Sequence, residues 1–381
     1  MARQTTILSL VLVVGGWLAA CTGPEATDEI QAGRSTAASG LGDDGYQAIQ
    51  LLQPRAAHNA TRLRDGRVLL TGGCTLPGCG GFEEARVTEL FDPQTRSLAA
   101  GPEMLYARAS GTATLLADGR VLLTGGYPGE GEAPQDTAEV YDPEAGEFEQ
   151  VGSMTTARAE QTATLTSDGR VLIAGGRDAD DRALQSTEWF DPDTDTFAPG
   201  PPLDAPRTAH VALVADDQVV LVGGTAGDRA LASTSVLTDS GWRAGPRLAT
   251  PRVKLAAVTL DDQRIFVVGG SESIEGRHQL RTTELVNLVR DVVRPGPLLS
   301  EGEYKLDGAV VKLHDGRVVI AAGDRVNIFN PRTNRISVLP GPTMGERSFV
   351  TATPLTSNEI LVAGGYDAFI EPTDRAWLIR V

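Results

Sequence analysis

Residues 65–73 read DGRVLLTGG, and this stretch decides the fold. It returns as DGRVLLTGG at 118–126 and as DGRVLIAGG at 168–176, and weaker copies end at Gly224, Gly270, Gly323 and Gly365. The second glycines of successive copies are 53, 50, 48, 46, 53 and 42 residues apart. A period of this length indicates a propeller or a solenoid array. The seven copies therefore predict an all-β fold with seven blades.

Each copy also predicts the local structure of a blade. Asp-Gly between two apolar runs is a strong signal for a hairpin with a type I′ turn, in which both central residues have positive φ. The apolar run after the turn, for example residues 68–70, suits a strand that is covered on both faces. Asp-Pro or Asn-Pro then marks a turn after a third strand, and a fourth strand carries a bulky residue such as Phe148 or Trp242. Each copy thus predicts four strands.

The two ends of the repeat region complement each other. Residues 46–52, YQAIQLL, precede Arg55 as a fourth strand precedes Arg158, but they have no blade of their own. After Gly365 only one more strand, residues 375–381, follows. Pairing of the N-terminal strand into the last blade would complete that blade and remove exposed strand edges.

The N-terminus has the features of an export signal. Arg3 precedes an apolar segment, and residues 18–21, LAAC, resemble a bacterial lipobox. We expect a signal peptide at 1–20, a lipidated Cys21 that begins a flexible tether at 21–45, and one propeller at 46–381. The expected location is the bacterial cell envelope, as an outer-membrane lipoprotein. A plain signal peptide in which Cys21 occurs by chance is the alternative.

The repeat resembles the kelch motif. The shared features are the apolar run, the diglycine, an aromatic residue before Asp-Pro or Asn-Pro, the bulky fourth-strand residue and an arginine that opens the next unit. The aromatic residues are Phe91, Tyr141, Phe190 and Phe329. The resemblance covers residues 46–381 and implies a propeller. Proteins with this motif include scaffolds, binding modules, sugar-modifying enzymes and a copper oxidase, so the resemblance alone does not choose a function.

Cofactor and catalytic signals are weak. The chain has four histidines, at 58, 210, 278 and 314, and His58 and His210 occupy the same place in two repeats, which favours copying over copper ligation. No Ser-His-Asp pattern, zinc signature or phosphate-binding glycine loop occurs. We therefore predict no cofactor, metal or catalytic residue. The loop with aspartates at 178, 180 and 181 is interpreted as a solvated turn, with Ca²⁺ binding as the alternative.

The net charge and the cysteines restrict the classes of partner and of metal site that we expect. The formal net charge is −16 and the pI is near 4.7, so broad binding to nucleic acid is not expected. Cys74 and Cys79 are predicted to form a disulfide in an oxidising compartment. Two thiolates alone are too few for a structural zinc site.

One basic residue recurs at a fixed distance before each turn. The seven members are Arg55, Arg108, Arg158, Arg207, Arg252, Lys305 and Arg347. We expect them on the face of the variable loops that follow the diglycines, as a candidate ligand-binding ring around the channel. The alternative is internal pairing with the third-strand acids Glu89, Glu139, Glu188 and Glu284. Arg207, Lys305 and Arg347 have no such acid in their own repeat.

Together these features predict a non-catalytic, membrane-anchored binding module. Long, variable loops on a rigid scaffold are a common place for recognition. The expected partner is a protein or an acidic polysaccharide at the loop face. A carbohydrate-active enzyme, such as a sugar mutarotase or epimerase, remains the rival hypothesis, and turnover of a sugar would distinguish it from stoichiometric binding.

Overall fold

The computed structural model describes residues 45–79, 84–260, 263–276, 278–341, 344–345 and 347–381. Cys21, the expected signal peptide and the expected tether up to residue 44 lie outside the described residues. The described residues form seven four-stranded antiparallel sheets and one two-stranded hairpin. The predicted seven-bladed, all-β propeller is therefore confirmed.

The strands follow one another along the chain with two short 3-10 turns, Pro77–Cys79 and Glu84–Arg86. In chain order they are β1 (Tyr46–Arg55), β2 (Asn59–Arg62), β3 (Val68–Thr71), β4 (Glu89–Asp92), β5 (Ser97–Ala100), β6 (Thr112–Leu115), β7 (Val121–Thr124), β8 (Ala138–Asp142), β9 (Glu147–Gln150), β10 (Thr162–Leu165), β11 (Val171–Ala174), β12 (Thr187–Asp191), β13 (Thr196–Pro199), β14 (Val211–Ala215), β15 (Gln218–Val222), β16 (Thr225–Ala226), β17 (Arg229–Ala230), β18 (Thr234–Thr238), β19 (Gly241–Ala244), β20 (Ala256–Thr259), β21 (Arg264–Val268), β22 (Thr283–Asn287), β23 (Val292–Pro295), β24 (Val310–Lys312), β25 (Val318–Ile320), β26 (Asn327–Asn330), β27 (Arg335–Val338), β28 (Thr351–Pro354), β29 (Glu359–Ala363) and β30 (Thr373–Arg380).

The first strand of each blade lines a central channel. Strands β2, β6, β10, β14, β20, β24 and β28 contact one another in a closed ring. The second strands β3, β7 and β11 are buried along their whole length, because neighbouring blades cover both faces of each sheet. The apolar core therefore lies between the blades.

The last blade is closed by the N-terminal strand, as the sequence predicts. Strand β1 pairs antiparallel with β30, with Tyr46 opposite Ile379 and Ile49 opposite Ala376. The sheet order is β1, β30, β29, β28. The first and the last strand of the propeller are thus paired in one sheet.

The Asp-Gly turns differ from the predicted type I′ geometry. In the first repeat the Leu63 N–H donates to the Arg67 carbonyl at 2.8 Å, and the Gly66 N–H donates to the Leu63 carbonyl at 3.1 Å. Gly66 has a φ of 95°, but Asp65 is not left-handed. The loop therefore has three residues, a type I turn followed by a left-handed glycine. Asp65 stabilises it because its Oδ1 accepts the Arg67 N–H at 2.9 Å.

The diglycines allow neighbouring blades to approach closely. A Cβ atom on Gly72 would lie 2.4 Å from the backbone oxygen of Arg108 in the next blade. Both Gly72 and Gly73 have positive φ, which glycine adopts without steric cost. The described part of the chain contains no helix that is long and apolar enough to cross a membrane.

Candidate functional site

The variable loops begin at the entrance of the channel. In blade 1 the first loop residue, Cys74, forms an antiparallel bridge with Ala56, and the Ala56 N–H donates to the Cys74 carbonyl at 3.0 Å. The same bridge joins Ala109 to Tyr127, Ala159 to Arg177, Thr208 to Thr225, Val253 to Ser271 and Ser348 to Tyr366. The loops and the channel entrance therefore share one face of the propeller.

Most of the predicted basic ring is buried inside the blades. Arg55, Arg108, Arg158, Arg207 and Arg252 are at most 2% exposed. In blade 1, Arg55 Nη2 donates to Glu89 Oε1 at 2.8 Å and Nη1 donates to the Gly72 carbonyl at 3.2 Å. The other carboxylate oxygen of Glu89 accepts the Leu52 N–H at 2.8 Å. These five arginines face the protein interior and not the solvent.

Three further blades repeat this arrangement. The ion pairs Arg108–Glu139, Arg158–Glu188 and Arg252–Glu284 have N–O distances of 2.8, 2.8 and 2.7 Å. Breaking such a buried pair typically costs about 3–5 kcal/mol, because one charge remains uncompensated. The internal pairing that the sequence offered as an alternative is thus present in the four blades that carry the acid.

Blade 4 compensates for its missing glutamate. Ser235 takes the place of the third-strand acid, and Arg207 Nη2 lies 3.3 Å from Asp204 Oδ1. The Ser235 hydroxyl also donates to Asp204 Oδ1, at 2.9 Å. Arg207, which the sequence marked as less neutralised, therefore has an acidic partner three residues before it.

Blade 7 replaces the ion pair with an aromatic contact. The guanidinium of Arg347 lies over the ring of Trp377, 5.6 Å from its centroid. Arg347 is 8% exposed, and its Nε has no hydrogen-bond partner among the described residues. Burial, followed by the charge of Arg375, lowers the pKa of Arg347. Glu346, which precedes Arg347 in the sequence, lies outside the described residues.

Lys305 does not occupy the arginine position in blade 6. In blade 1 the Gly73 N–H donates to the backbone oxygen of Arg108, at 3.0 Å, and the matching bond from Gly270 goes to Glu303 at 2.8 Å. Glu303 therefore replaces the arginine, and Lys305 lies two residues further along the chain.

An insertion in blade 6 explains this shift. Val310 pairs with Ile320 as Ala60 pairs with Leu70, so two extra residues, 307–308, lie just before β24. The Ala309 N–H donates to the Leu306 carbonyl at 2.9 Å across the insertion. Counting back from the turn includes these two residues and so assigns Lys305 to the arginine position.

A second ring of residues lies where the first ring was expected. Two positions after each arginine position, one residue per blade has a φ between 48° and 57°. We call these seven residues the channel mouth: Ala57, Ser110, Glu160, Ala209, Lys254, Lys305 and Phe349. Non-glycine residues rarely adopt this backbone conformation. Its recurrence in every blade therefore indicates that the fold requires it at this position.

Backbone hydrogen bonds hold the channel mouth in place. The Lys254 N–H donates to the Ala209 carbonyl at 3.2 Å, and the Ala209 N–H donates to the Glu160 carbonyl at 3.4 Å. The Phe349 N–H similarly donates to the Lys305 carbonyl at 3.2 Å. Each bond joins one blade to the preceding one, so the side chains here are carried by a stiff ring.

The channel mouth opens into a cavity of about 270 Å³. Its wall is divided into a charged side and an apolar side. Glu160, Lys254, Lys305 and Asp307 lie on blades 3, 5 and 6, and Ala57 and Phe349 lie on blades 1 and 7. An amphipathic wall of this kind suits a ligand with one charged and one apolar edge.

Among the described residues, Glu160 is the only one of these four charged side chains that forms an ion pair. Glu160 lies 3.4 Å from Arg177 and accepts a hydrogen bond from the Thr208 hydroxyl at 3.0 Å. Lys254 and Asp307 have no ion pair or hydrogen bond through their side chains within the described residues. Lys305 lies over the rings of Tyr304 and Phe349, at 5.1 and 5.2 Å.

Desolvation at the cavity shifts the pKa values of two of these groups in opposite directions. Desolvation lowers the pKa of Lys254; Lys305 and Arg177 add to this effect, and Glu160 opposes it. Desolvation, followed by the charge of Glu160, raises the pKa of Asp307. Asp307 is exposed, and it lines the channel cavity.

Comparison with known proteins identifies the repeat. A family model described as the kelch motif matches residues 108–155 and 160–203, within blades 2 and 3. Two of the seven blades of this β-propeller thus match the kelch motif. Its structure is similar to the solved structure of YjhT, with a TM-score of 0.56 and 12% identity over 87% of this chain and 96% of that one. In all, 924 solved chains resemble this propeller, and no curated protein sequence matches it. So widespread a fold does not by itself indicate an activity.

The aspartates of the acidic loop in blade 3 have internal partners. Asp178 Oδ1 accepts the backbone N–H of Asp180 and of Arg182, both at 2.9 Å. Asp181 pairs with Arg177 at 2.7 Å, and Asp180 pairs with Arg182 at 2.9 Å. No group of three or more metal-ligating side chains occurs in the part of the chain that the structure describes.

The cysteine loop lies on the same face. The Sγ atoms of Cys74 and Cys79 are bonded to each other, with Cα atoms 4.4 Å apart. Cys79 also borders a second cavity of about 590 Å³ between the loops of blades 1, 2 and 3, whose wall includes Glu130, Glu132 and Asp178. This cavity is acidic, in contrast to the channel mouth.

Sequence reasoning missed the side chains that line the cavity. Lys254, Glu160 and Phe349 were not singled out. Asp307 lies in an insertion that counting residues back from the turn did not detect. One signal was present: lysine is rare in this chain, yet it occurs twice near the start of a blade. Aligning the repeats from both ends would also have revealed the insertion.

Proposed function

We propose that this kelch propeller is a binding module without turnover and that it takes its ligand at the channel mouth. One observation carries the proposal. Blade 6 carries Lys305 at its channel-mouth position, and an insertion in the same blade brings Asp307 to the cavity beside Lys254 of blade 5. Structural repetition explains the buried arginines, but it does not explain an insertion in one blade.

The preferred ligand carries a negative charge. Two lysines face the cavity without an acidic partner among the described residues, whereas Glu160 is already bound to Arg177. This local positive charge is unusual in a chain with a net charge of −16. An acidic polysaccharide could place a carboxylate between the lysines and its apolar ring face on Phe349. A protein partner is the other outcome of the test.

The surrounding loops offer further contact area. Phe369 and Ile370, in the loop of blade 7, are 85% and 58% exposed, and Leu76 in the adjacent loop of blade 1 is 53% exposed. Large apolar side chains on loops beside a cavity are typical of recognition surfaces. A chain-like ligand would extend from the channel mouth over these residues.

The proposal includes attachment to the cell envelope. Its support is the sequence of residues 18–21, which resembles a lipobox, and the composition of the segment that follows. A lipid on Cys21 would hold the propeller at an outer-membrane surface. The ligand would then be a component of the envelope or of its surroundings.

A thermal-shift titration with an acidic and a neutral glycan tests the binding proposal. Oligogalacturonate should raise the melting temperature, and a maltooligosaccharide of equal length should not. At 100 times the dissociation constant the ligand stabilises the fold by about 2.7 kcal/mol. The double variant K254A/K305A should lose this effect and still fold, because alanine occupies the same position in blades 1 and 4 as Ala57 and Ala209.

The variant K312A is the matched control, since Lys312 is the third lysine and does not line the cavity. An equal shift in K254A/K305A would place the ligand elsewhere and overturn the proposed site. No shift with any acidic glycan would favour a protein partner, to be sought by crosslinking in the native envelope.

The enzyme hypothesis has one observation in its favour. Lys254 and Asp307 face one cavity with pKa values moved toward each other, and such pairs can supply an acid and a base. Conversion of a sugar by a substoichiometric amount of the protein would support an epimerase or mutarotase. Binding without conversion would support the module.

A further inference from the structure

The choice of lysine at the channel mouth is unusual for this chain. The sequence contains 31 arginines and three lysines, Lys254, Lys305 and Lys312. Two of the three occupy adjacent blades of the channel mouth. Arginine binds carboxylates well through its planar, bidentate geometry and stays charged. A site that required only an anion contact could therefore have used the residue that this protein uses everywhere else.

Lysine offers what arginine does not, a primary amine that can lose its proton. Its pKa falls readily on burial or beside another cation, and lysines that form Schiff bases with carbonyl compounds are activated in this way. The neutral amine then attacks a carbonyl carbon. A lysine in an enclosed cavity beside a second lysine meets both conditions.

Lys254 has these surroundings. Lys305 is its neighbour on blade 6, and the Leu306 N–H donates to the Lys254 carbonyl at 3.4 Å, which keeps the two segments together. Blade 3 contributes Glu160 and Arg177, which are paired with each other at 3.4 Å. Lys305 lies over two aromatic rings in cation–π geometry. Lys254 has no such contact among the described residues, and burial lowers its pKa.

We propose that Lys254 is a reactive amine that captures a carbonyl-bearing ligand at the channel mouth as a reversible imine. The ligand class is a small aldehyde or ketone, with a carboxylate as a favourable second group for Lys305. This inference rests on the proposed function only in placing a ligand in this cavity. It adds a covalent step to that binding.

The step is balanced without an oxidant or reductant. The Lys254 nitrogen attacks the carbonyl carbon, a C–N bond forms as the C=O π bond breaks, and one proton passes from the nitrogen to the oxygen to give a carbinolamine. The hydroxyl takes a second proton from the Asp307 carboxyl group, the C–O bond breaks and water leaves. The remaining N–H proton of the iminium then returns to the Asp307 carboxylate, which gives the imine. Asp307 lies on the cavity wall, where its raised pKa favours the protonated acid that can assist departure of the hydroxyl.

Reductive trapping with glyoxylate and cyanoborohydride at pH 7.5 tests this inference. Glycolaldehyde is the matched probe without a carboxylate. The small number of lysines makes the products easy to assign by peptide mass spectrometry. Lys254 should be modified several-fold faster than Lys312 in the folded protein, because its lowered pKa increases the fraction of free amine. In the unfolded chain the three lysines should react alike.

Two variants identify the cause. K305Q should slow the trapping at Lys254 several-fold because it removes the neighbouring cation, and K312R should leave the rate unchanged. If folding does not accelerate the reaction of Lys254 relative to Lys312, the inference is overturned. That result would leave the thermal shift with oligogalacturonate unaffected, so the covalent step and the binding site can fail separately.

Discussion

Acid should destabilise the propeller through two buried histidines. His58 and His210 are 6% and 7% exposed. Burial, followed by the charge of Arg55 or Arg207, lowers the pKa of each from 6.5 to about 3. The folded state therefore keeps both imidazoles neutral at pH values where the unfolded chain protonates them.

The sign and size follow from linkage. Because the folded pKa lies below the unfolded one, stability is fully present above about pH 6.5 and is lost as the pH falls toward 3. Between pH 7 and pH 5 each histidine should remove about 2 kcal/mol from the free energy of unfolding, or about 4 kcal/mol for the pair. This is a large part of the 5–15 kcal/mol that typically stabilises a domain.

Urea unfolding at pH 7 and pH 5 measures this loss, and glutamine variants isolate it from the carboxylates. Gln161 occupies the same position in blade 3, where its Nε2 donates to the Thr124 carbonyl at 2.9 Å. The variant H58Q/H210Q should therefore fold and lose about 4 kcal/mol less than the parent over this interval. H314Q, at an exposed turn, is the control and should behave like the parent. Equal losses in the parent and the double variant would refute the reasoning.

Three further outcomes are expected. The variant R108A should lower the free energy of unfolding by about 3–5 kcal/mol, because it leaves Glu139 buried without its cation; an unchanged urea midpoint would contradict a structural role for this arginine. A chain that begins at Gln53 lacks most of β1 and should unfold far below the melting temperature of the intact protein, since the buried side chains of this strand contribute about 1.5–3 kcal/mol each; equal calorimetric melting would refute closure by β1. The variant C21S should move the protein from the membrane fraction to the soluble fraction of the producing cells, and continued membrane association would argue against a lipid anchor.

The repeat made the architecture predictable in detail. Seven copies of one motif gave seven blades, and the mismatch between residues 46–52 and the short C-terminal segment gave the closing strand. The Asp-Gly turn was assigned the wrong geometry, because the sequence pattern does not determine how many residues the loop contains. Asp65 accepts a backbone hydrogen bond, and this bond favours a three-residue turn. The hydrogen bond from the Arg67 N–H to the Asp65 side chain thus outweighed the preference of Asp-Gly for a type I′ turn.

The candidate site was predictable in its place and not in its residues. Periodicity located the loop face correctly, but it also selected the most regular cations, and regularity in a repeat protein reflects packing. The arginine at the position of Arg55 is repeated because a buried glutamate, Glu89 in blade 1, pairs with it in four of the seven blades. Asp307 is irregular and was therefore overlooked. Its position depends on an insertion that only the strand pairing reveals.

Lysine footprinting tests directly whether the ligand binds at the channel mouth. An amine acetylating reagent would be applied to the protein with and without oligogalacturonate, and the rates at Lys254, Lys305 and Lys312 would be followed by mass spectrometry. We expect the ligand to slow acetylation at Lys254 and Lys305 and to leave the rate at Lys312 unchanged. Binding that protects neither Lys254 nor Lys305 would contradict a ligand site at the channel mouth.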